Sequence, residues 1–96
     1  MVRKPVVYLL RSRQDGSCYV GWTTDLLRRL VEHNENLATS AGRKVPWQLV
    51  GFEICSDAEA AEKREQTLKH NPRMLQLFKK RMLNQAAISR SRQVVG

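Results

Sequence analysis

Several things are missing from this chain, and each absence removes a class of protein. No apolar run approaches the roughly 18–20 residues that a membrane span needs, so no membrane partner is expected. The opening residues Met1-Val2-Arg3-Lys4-Pro5 lack the apolar stretch of a secretory signal, which leaves a cytoplasmic setting as the expectation. There are two cysteines, Cys18 and Cys55, in separate apolar segments. They form no C-x-x-C, and neither has a His or second Cys at ligand spacing, which argues against a zinc site and for reduced, packed thiols. No internal repeat and no low-complexity linker appears. Residues 66–96 contain no acidic residue at all, yet carry Lys69, Arg73, Lys79, Lys80, Arg81, Arg90 and Arg92.

What is present is one small domain's worth of chain: 96 residues, 42% of them apolar, enough to fold. Seventeen Lys and Arg against nine Asp and Glu leave a net charge of +8. Its concentration in the last third suggests a polyanionic partner, with nucleic acid ahead of an anionic membrane. A merely well-solvated basic surface fits the composition equally well.

Val6-Val7-Tyr8-Leu9-Leu10 reads as a first strand, Asp15-Gly16 as a two-residue hairpin turn, and Cys18-Tyr19-Val20-Gly21-Trp22 as a second strand. Thr23-Thr24 cap a helix with Asp25 in its first turn, and Leu26, Leu27, Leu30 and Val31 form its buried stripe, ending near Asn36. Residues 37–46 are a polar loop. A third strand, Trp47 to Cys55, alternates Val50, Phe52 and Ile54 onto one face. A second helix starts at Ser56 or Asp57 and reaches about His70. Asn71-Pro72 restarts the chain as cap and first helical residue, and Met74, Leu75, Phe78 and Met82 line one side of the third helix. The order ββαβαα predicts an α+β domain over residues 1–87, a small three-stranded, mainly antiparallel sheet flanked by helices. Residues 88–96 read as a flexible basic tail.

Three features do not fit plain packing. At roughly 100° per residue, Glu65 falls within about 60° of Ala58, Ala61 and Leu68, inside the stripe those residues mark as core-facing. A carboxylate there requires a cation: an Arg such as Arg29, a Lys, or a metal ion. On the first helix Arg29 and His33 form an i,i+4 pair bordering the apolar stripe, while Arg28 points away. Tyr8 and Tyr19 stand on the two hairpin arms. With a two-residue turn Tyr8 faces Thr23 and Tyr19 faces Ser12, on one face but four positions out of step. Bringing the hydroxyls together requires a bulge or a longer turn.

Together these residues resemble the GIY-YIG nuclease family, over about Val6 to Arg73. Its two motif strands are similar to Val6-Val7-Tyr8 and Tyr19-Val20-Gly21, and its helical arginine, eight residues after the second glycine, matches Arg29. The run Gly21-Trp22-Thr23-Thr24-Asp25-Leu26-Leu27-Arg28-Arg29-Leu30 through His33-Asn34, and Gly42-Arg43-Lys44-Val45-Pro46-Trp47, look like the compact single-domain members. Ala61-Glu62-Lys63-Arg64-Glu65 with Leu68-Lys69 resembles the segment of the metal-binding glutamate, which falls on Glu65. The chain departs from the pattern at Val6 and Val7, where the first motif has glycine and isoleucine, and Asn71 is explained as a helix cap.

The resemblance implies a metal-dependent endonuclease that hydrolyses DNA phosphodiesters, structure-selective or unselective, with DNA repair or recombination as its setting. Glu65 would hold one Mg²⁺ or Mn²⁺, Arg29 would bind the phosphate, and Tyr8 would activate water, with Tyr19 and His33 in support. Arg43, Lys44, Lys69, Arg73, Lys79, Lys80 and Arg81 would track the nucleic-acid backbone without reading sequence. RNA stays open as a substrate, as does a protein partner for targeting. Two rivals remain: a nucleic-acid-binding module without turnover, and a small basic partner of a larger repair or ribosomal assembly.

Overall fold

The computed structural model describes residues 3–35 and 44–95, with side chains described as far as Ala86. The elements are β1 (Val6–Ser12), β2 (Cys18–Thr23), α1 (Leu26–Glu35), β3 (Trp47–Ile54), α2 (Ala58–His70) and α3 (Pro72–Val95). This is the expected α+β order, and the sheet is antiparallel throughout, in the order β2-β1-β3. The backbone of α3 stays helical to Val95, beyond Ala87 where the apolar spacing dissolves.

β1 explains why Val6–Leu10 is uninterrupted apolar sequence. It is the central strand and both its faces are covered. Val7 and Leu9 join Val20 beneath Ala61 and Leu68 of α2 and Phe78 and Met82 of α3. Tyr8 and Leu10 join Trp47 on the other face, where Leu26 and Leu30 of α1 pack.

Five local expectations are corrected. The hairpin loop has four residues, 13–16, closed by a hydrogen bond from Ser12 N to Ser17 O, with Gly16 at φ 76°. The buried Ser12 hydroxyl accepts from the Gln14 and Asp15 amides, and Asp15 Oδ1 accepts from Ser17 N at 2.9 Å, so side chains hold a longer turn than Asp-Gly alone implies. The α1 stripe is narrower than expected: Leu26 and Leu30 pack inward, whereas Leu27 is 74% exposed and Val31 is 46% exposed. In β3 the pairing with β1 shifts between Leu9 and Leu10. Val50 and Gly51 both meet the α2/α3 side, while Phe52 and Ile54 are exposed, so the predicted alternation breaks at a bulge. The residue that caps α1 is Asp25, whose Oδ1 accepts from Arg28 N, and the Thr23 hydroxyl supports it by accepting from Asp25 N. The caps at Asp57 and Asn71 are as expected, accepting from Ala60 N and Met74 N. Both cysteines are free, Cys55 half-buried and Cys18 exposed where a packed thiol is predicted.

One polar cluster ties α2 and α3 to the sheet. Glu53 on β3 accepts from Arg64 Nε at 3.0 Å and from the Arg81 guanidinium, and both guanidiniums lie over the Phe78 ring, 5.7 and 5.8 Å from its centre. Partial burial works against the ionised Glu53, but the hydrogen bonds from Arg81 and Arg64 outweigh it and hold the carboxyl below the usual carboxylate range. A depressed carboxylate contributes stability that is complete above its unfolded value near 4.5 and is lost as pH falls through the folded value. Glu53→Gln is therefore expected to cost about 1.5–3 kcal/mol at pH 7 and to flatten the acid side of the stability profile. Urea unfolding of both proteins between pH 3 and 7 measures this.

Candidate active site

Lengthening the hairpin turn changes what faces what. Tyr8 pairs with Gly21 and Tyr19 with Leu10, so the tyrosines are two positions out of step rather than four. Their rings lie 6.3 Å apart on the α1 face. Gly21 makes this arrangement feasible: a Cβ there would lie 2.5 Å from the Tyr8 hydroxyl oxygen and 3.1 Å from the Tyr19 ring. Gly21→Ala is expected to push Tyr8 aside and lower any activity of this site about 100-fold, with helix content unchanged by circular dichroism.

α1 delivers two side chains from one flank. His33 Nε2 is 3.3 Å from the Tyr8 hydroxyl, and its ring meets Tyr19 edge-on with centres 4.6 Å apart. Arg29, one turn earlier, is half-exposed and leans on Glu32, which also accepts from Arg28. The sequence gives Asn34 no role of its own, but its side chain accepts from Trp47 N at 2.6 Å and donates to Trp47 O, joining the end of α1 to the start of β3. No periodicity signals that contact. It fixes the wall against which Tyr19 and His33 pack, with Trp47 6.2 and 6.3 Å from them.

α2 brings Glu65 from the other side. Ala61 and Leu68, one turn to either side, are fully buried, and the Glu65 side chain between them is only 14% exposed. Its cation is Lys69, with Nζ 2.7 Å from Oε1, and not Arg29. The Lys69 ammonium also lies 5.8 Å over the Tyr19 ring.

These groups open on one cleft of about 370 Å³, lined by Tyr8, Tyr19, Gly21, Arg29 and Glu65 together with Trp22, Thr23 and Thr24. His33 contacts both tyrosines but does not itself line the cleft. Glu65 is the one carboxylate lining the cleft among the described residues, and no three His, Cys, Asp or Glu side chains converge among them. That donor set suits a hydrated hard cation held through a single carboxylate better than a closed cage. Half-exposed Lys69 is long enough to leave the carboxylate to such an ion.

The environment sets two proton affinities. Tyr8 is 2% exposed. Burial, reinforced by Tyr19, drives its phenol far above the ordinary value, with Arg29 opposing. His33 is held below its ordinary 6.5, first by burial and then by the Arg29 charge, with Glu32 pulling the other way. At neutral pH the pair is therefore a neutral phenol and a neutral imidazole.

The backbone-tracking cations divide. Lys69 and Lys79 lie together beside the cleft, and Arg73 and Lys80 are exposed on α3. Arg81 is committed to Glu53, and Lys44 is 4.0 Å from Asp15 at the hairpin. Arg43 lies outside the described residues. Among the described residues no helix is long and apolar enough to cross a membrane.

Two tyrosines, an arginine and a glutamate thus share one cleft of a three-stranded α+β domain. Residues 4–80 match the family model of the GIY-YIG catalytic domain. The chain belongs to the GIY-YIG nuclease family. It is 36% identical over 74 residues to a UPF0213 protein of Streptococcus pneumoniae, covering 76% of this chain and 74% of that one. A UPF0213 protein of Desulfotalea psychrophila is 38% identical, with 66% of this chain matching 58% of the relative's length. A Drosophila ananassae protein described as a structure-specific endonuclease subunit SLX1 homolog is 44% identical over 45 residues, 43% of this chain but 15% of that protein. No solved structure matches the chain significantly.

Proposed function

We propose that the chain is a metal-dependent endonuclease that hydrolyses DNA phosphodiesters with little regard for sequence. The observation that carries this reading is the convergence of Tyr8, Arg29 and Glu65 on one cleft, with His33 in contact with the buried phenol. The relative described as a structure-specific endonuclease subunit supports substrate structure, rather than sequence, as the basis of choice; DNA repair is the setting this reading proposes.

Glu65 would hold one Mg²⁺ or Mn²⁺, which when bound supplies Lewis-acid stabilisation of the phosphate and leaving oxygen. Arg29, free to turn from Glu32 at 3.6 Å, binds the non-bridging oxygens as negative charge builds on them. The neutral, buried Tyr8 phenol cannot serve as a standing phenolate. It works instead as a relay: its oxygen takes a proton from water as its own proton passes to His33 Nε2, 3.3 Å away. Because burial and Arg29 keep His33 unprotonated at neutral pH, it can accept that proton. Tyr19 holds the imidazole edge-on and so orients the relay.

The test is incubation of the purified chain with flap, forked and plain duplex DNA, with Mg²⁺ or Mn²⁺ and with chelator. Strand breaks that require metal support the proposal. Binding without a break, on every substrate and with both metals, overturns it in favour of a binding module. That second reading draws on the Glu65–Lys69 pair, which already gives the carboxylate a cation.

A further inference from the structure

A second hollow, about 270 Å³, lies against β2, an outer strand of the sheet, and borders the cleft at Tyr19. Its floor is apolar, made by Val20, Leu68 and Leu75, and Tyr19 forms a wall that it shares with the cleft. The ammonium-bearing side chains of Lys69 and Lys79 line it. Lys69 is the cation of Glu65, whereas Lys79 has no acidic partner among the described residues although it is partly buried. The hollow is thus an open, largely apolar groove with one aromatic residue and two lysines along it, sharing Tyr19 with the cleft.

That combination has a specific complement. A nucleobase is flat, presents apolar π faces, and is tethered to anionic phosphates on either side. A volume of about 270 Å³ accommodates a single ring system. A continuous duplex keeps its bases paired and stacked and could not supply one. We propose that this groove receives an unpaired nucleobase adjoining the phosphate in the cleft, so that the preferred substrate carries a single-stranded or splayed nucleotide at the cut. The position of the phosphate rests on the nuclease reading above; the groove's occupancy does not depend on turnover.

Cys18, exposed and lining the groove, provides a direct probe, and half-buried Cys55, away from it, is the internal control. Iodoacetamide alkylation of wild-type protein would be followed by mass spectrometry in chelator, so that no strand is cut. The additions are a single-stranded deoxyoligonucleotide, an abasic chain of the same length and a blunt duplex, each at its own saturating concentration. Base-bearing single strand is expected to slow Cys18 modification at least about fivefold, in keeping with roughly tenfold per stacked base, with Cys55 unchanged. The abasic chain and the duplex are expected to leave the rate within about twofold. Equal protection by the abasic chain, equal protection by the duplex, or no protection by any of them overturns the inference. Leu75→Trp, which fills the groove, is expected to lower the ratio of single-strand to duplex affinity at least about fivefold; an unchanged ratio counts against the groove. Metal-dependent cutting with no protection of Cys18 removes the groove and keeps the nuclease, while protection without cutting in any metal does the reverse.

Discussion

Glu65→Gln is expected to slow metal-dependent strand cleavage by about 10³-fold while leaving DNA affinity at or above that of the wild type. The substitution keeps the shape of a side chain that is only 14% exposed, so a packing defect is a poor explanation for the loss. It removes the one carboxylate lining the cleft among the described residues, and with it the anionic ligand for a hard cation. It also frees Lys69 from its 2.7 Å pair, adding an unneutralised ammonium beside the nucleic-acid path, which is why binding is not expected to weaken. Single-turnover cleavage and salt-matched binding curves on the same DNA separate the two effects. Cleavage that survives unchanged in the variant would place the metal elsewhere.

The second large effect concerns protons. If Tyr8 relays a proton to His33, the rate must fall when His33 is already protonated. Burial and Arg29 hold the imidazole below 6.5, against the pull of Glu32. The single-turnover rate is therefore expected to be level through neutral pH and to drop about tenfold per pH unit on the acid side of His33's titration. His33→Gln is expected to abolish that limb and lower the plateau by about 10²–10⁴. Tyr8→Phe, which keeps the ring against Gly21, is expected to lower the plateau similarly. Glu32→Gln removes the influence that raises His33 and is expected to move the limb to lower pH. Rates between pH 4.5 and 9.5, with the His33 ring followed by NMR, test this. A rate that climbs steadily past pH 9 would instead assign the base to a phenolate.

How far these residues could be read from sequence depends on the kind of signal each one leaves. Glu65 was legible because a carboxylate among alanines and leucines breaks a helical pattern, and the fold does place it between buried Ala61 and Leu68. Arg29 and His33 were legible as an i,i+4 pair, and the fold divides them, one lining the cleft and one in contact with the tyrosines. The register that brings Tyr8 and Tyr19 together was not legible. It depends on the hydroxyl of Ser12 and the carboxylate of Asp15 stabilising a four-residue loop, and such side-chain competition leaves no periodic trace. The bulge at Val50-Gly51 was hidden for the same reason, since one extra residue is invisible in an alternating run. A three-stranded sheet offers α1 only a narrow strip, so half of its apolar stripe, Leu27 and Val31, faces outward. Charge was the least legible of all. The basic third of the chain reads as one surface, yet Arg81 bonds Glu53 across 28 positions while Lys79 lines a groove beside the cleft. Sequence spacing cannot tell a structural cation from a ligand-binding one.

Hydrolysis of DNA by Glu65 and Arg29 acting together in one cleft is the proposal to be tested by single-turnover cleavage of one labelled forked DNA by the wild type, Glu65→Gln, Arg29→Ala and the double variant, in Mg²⁺ and in chelator. Metal-dependent cleavage by the wild type is expected, with large losses in each single variant and a double variant little worse than either, because the two groups act on the same phosphate. A wild type that binds the fork and leaves every phosphodiester intact, or variants that cut as fast as the wild type, would contradict it.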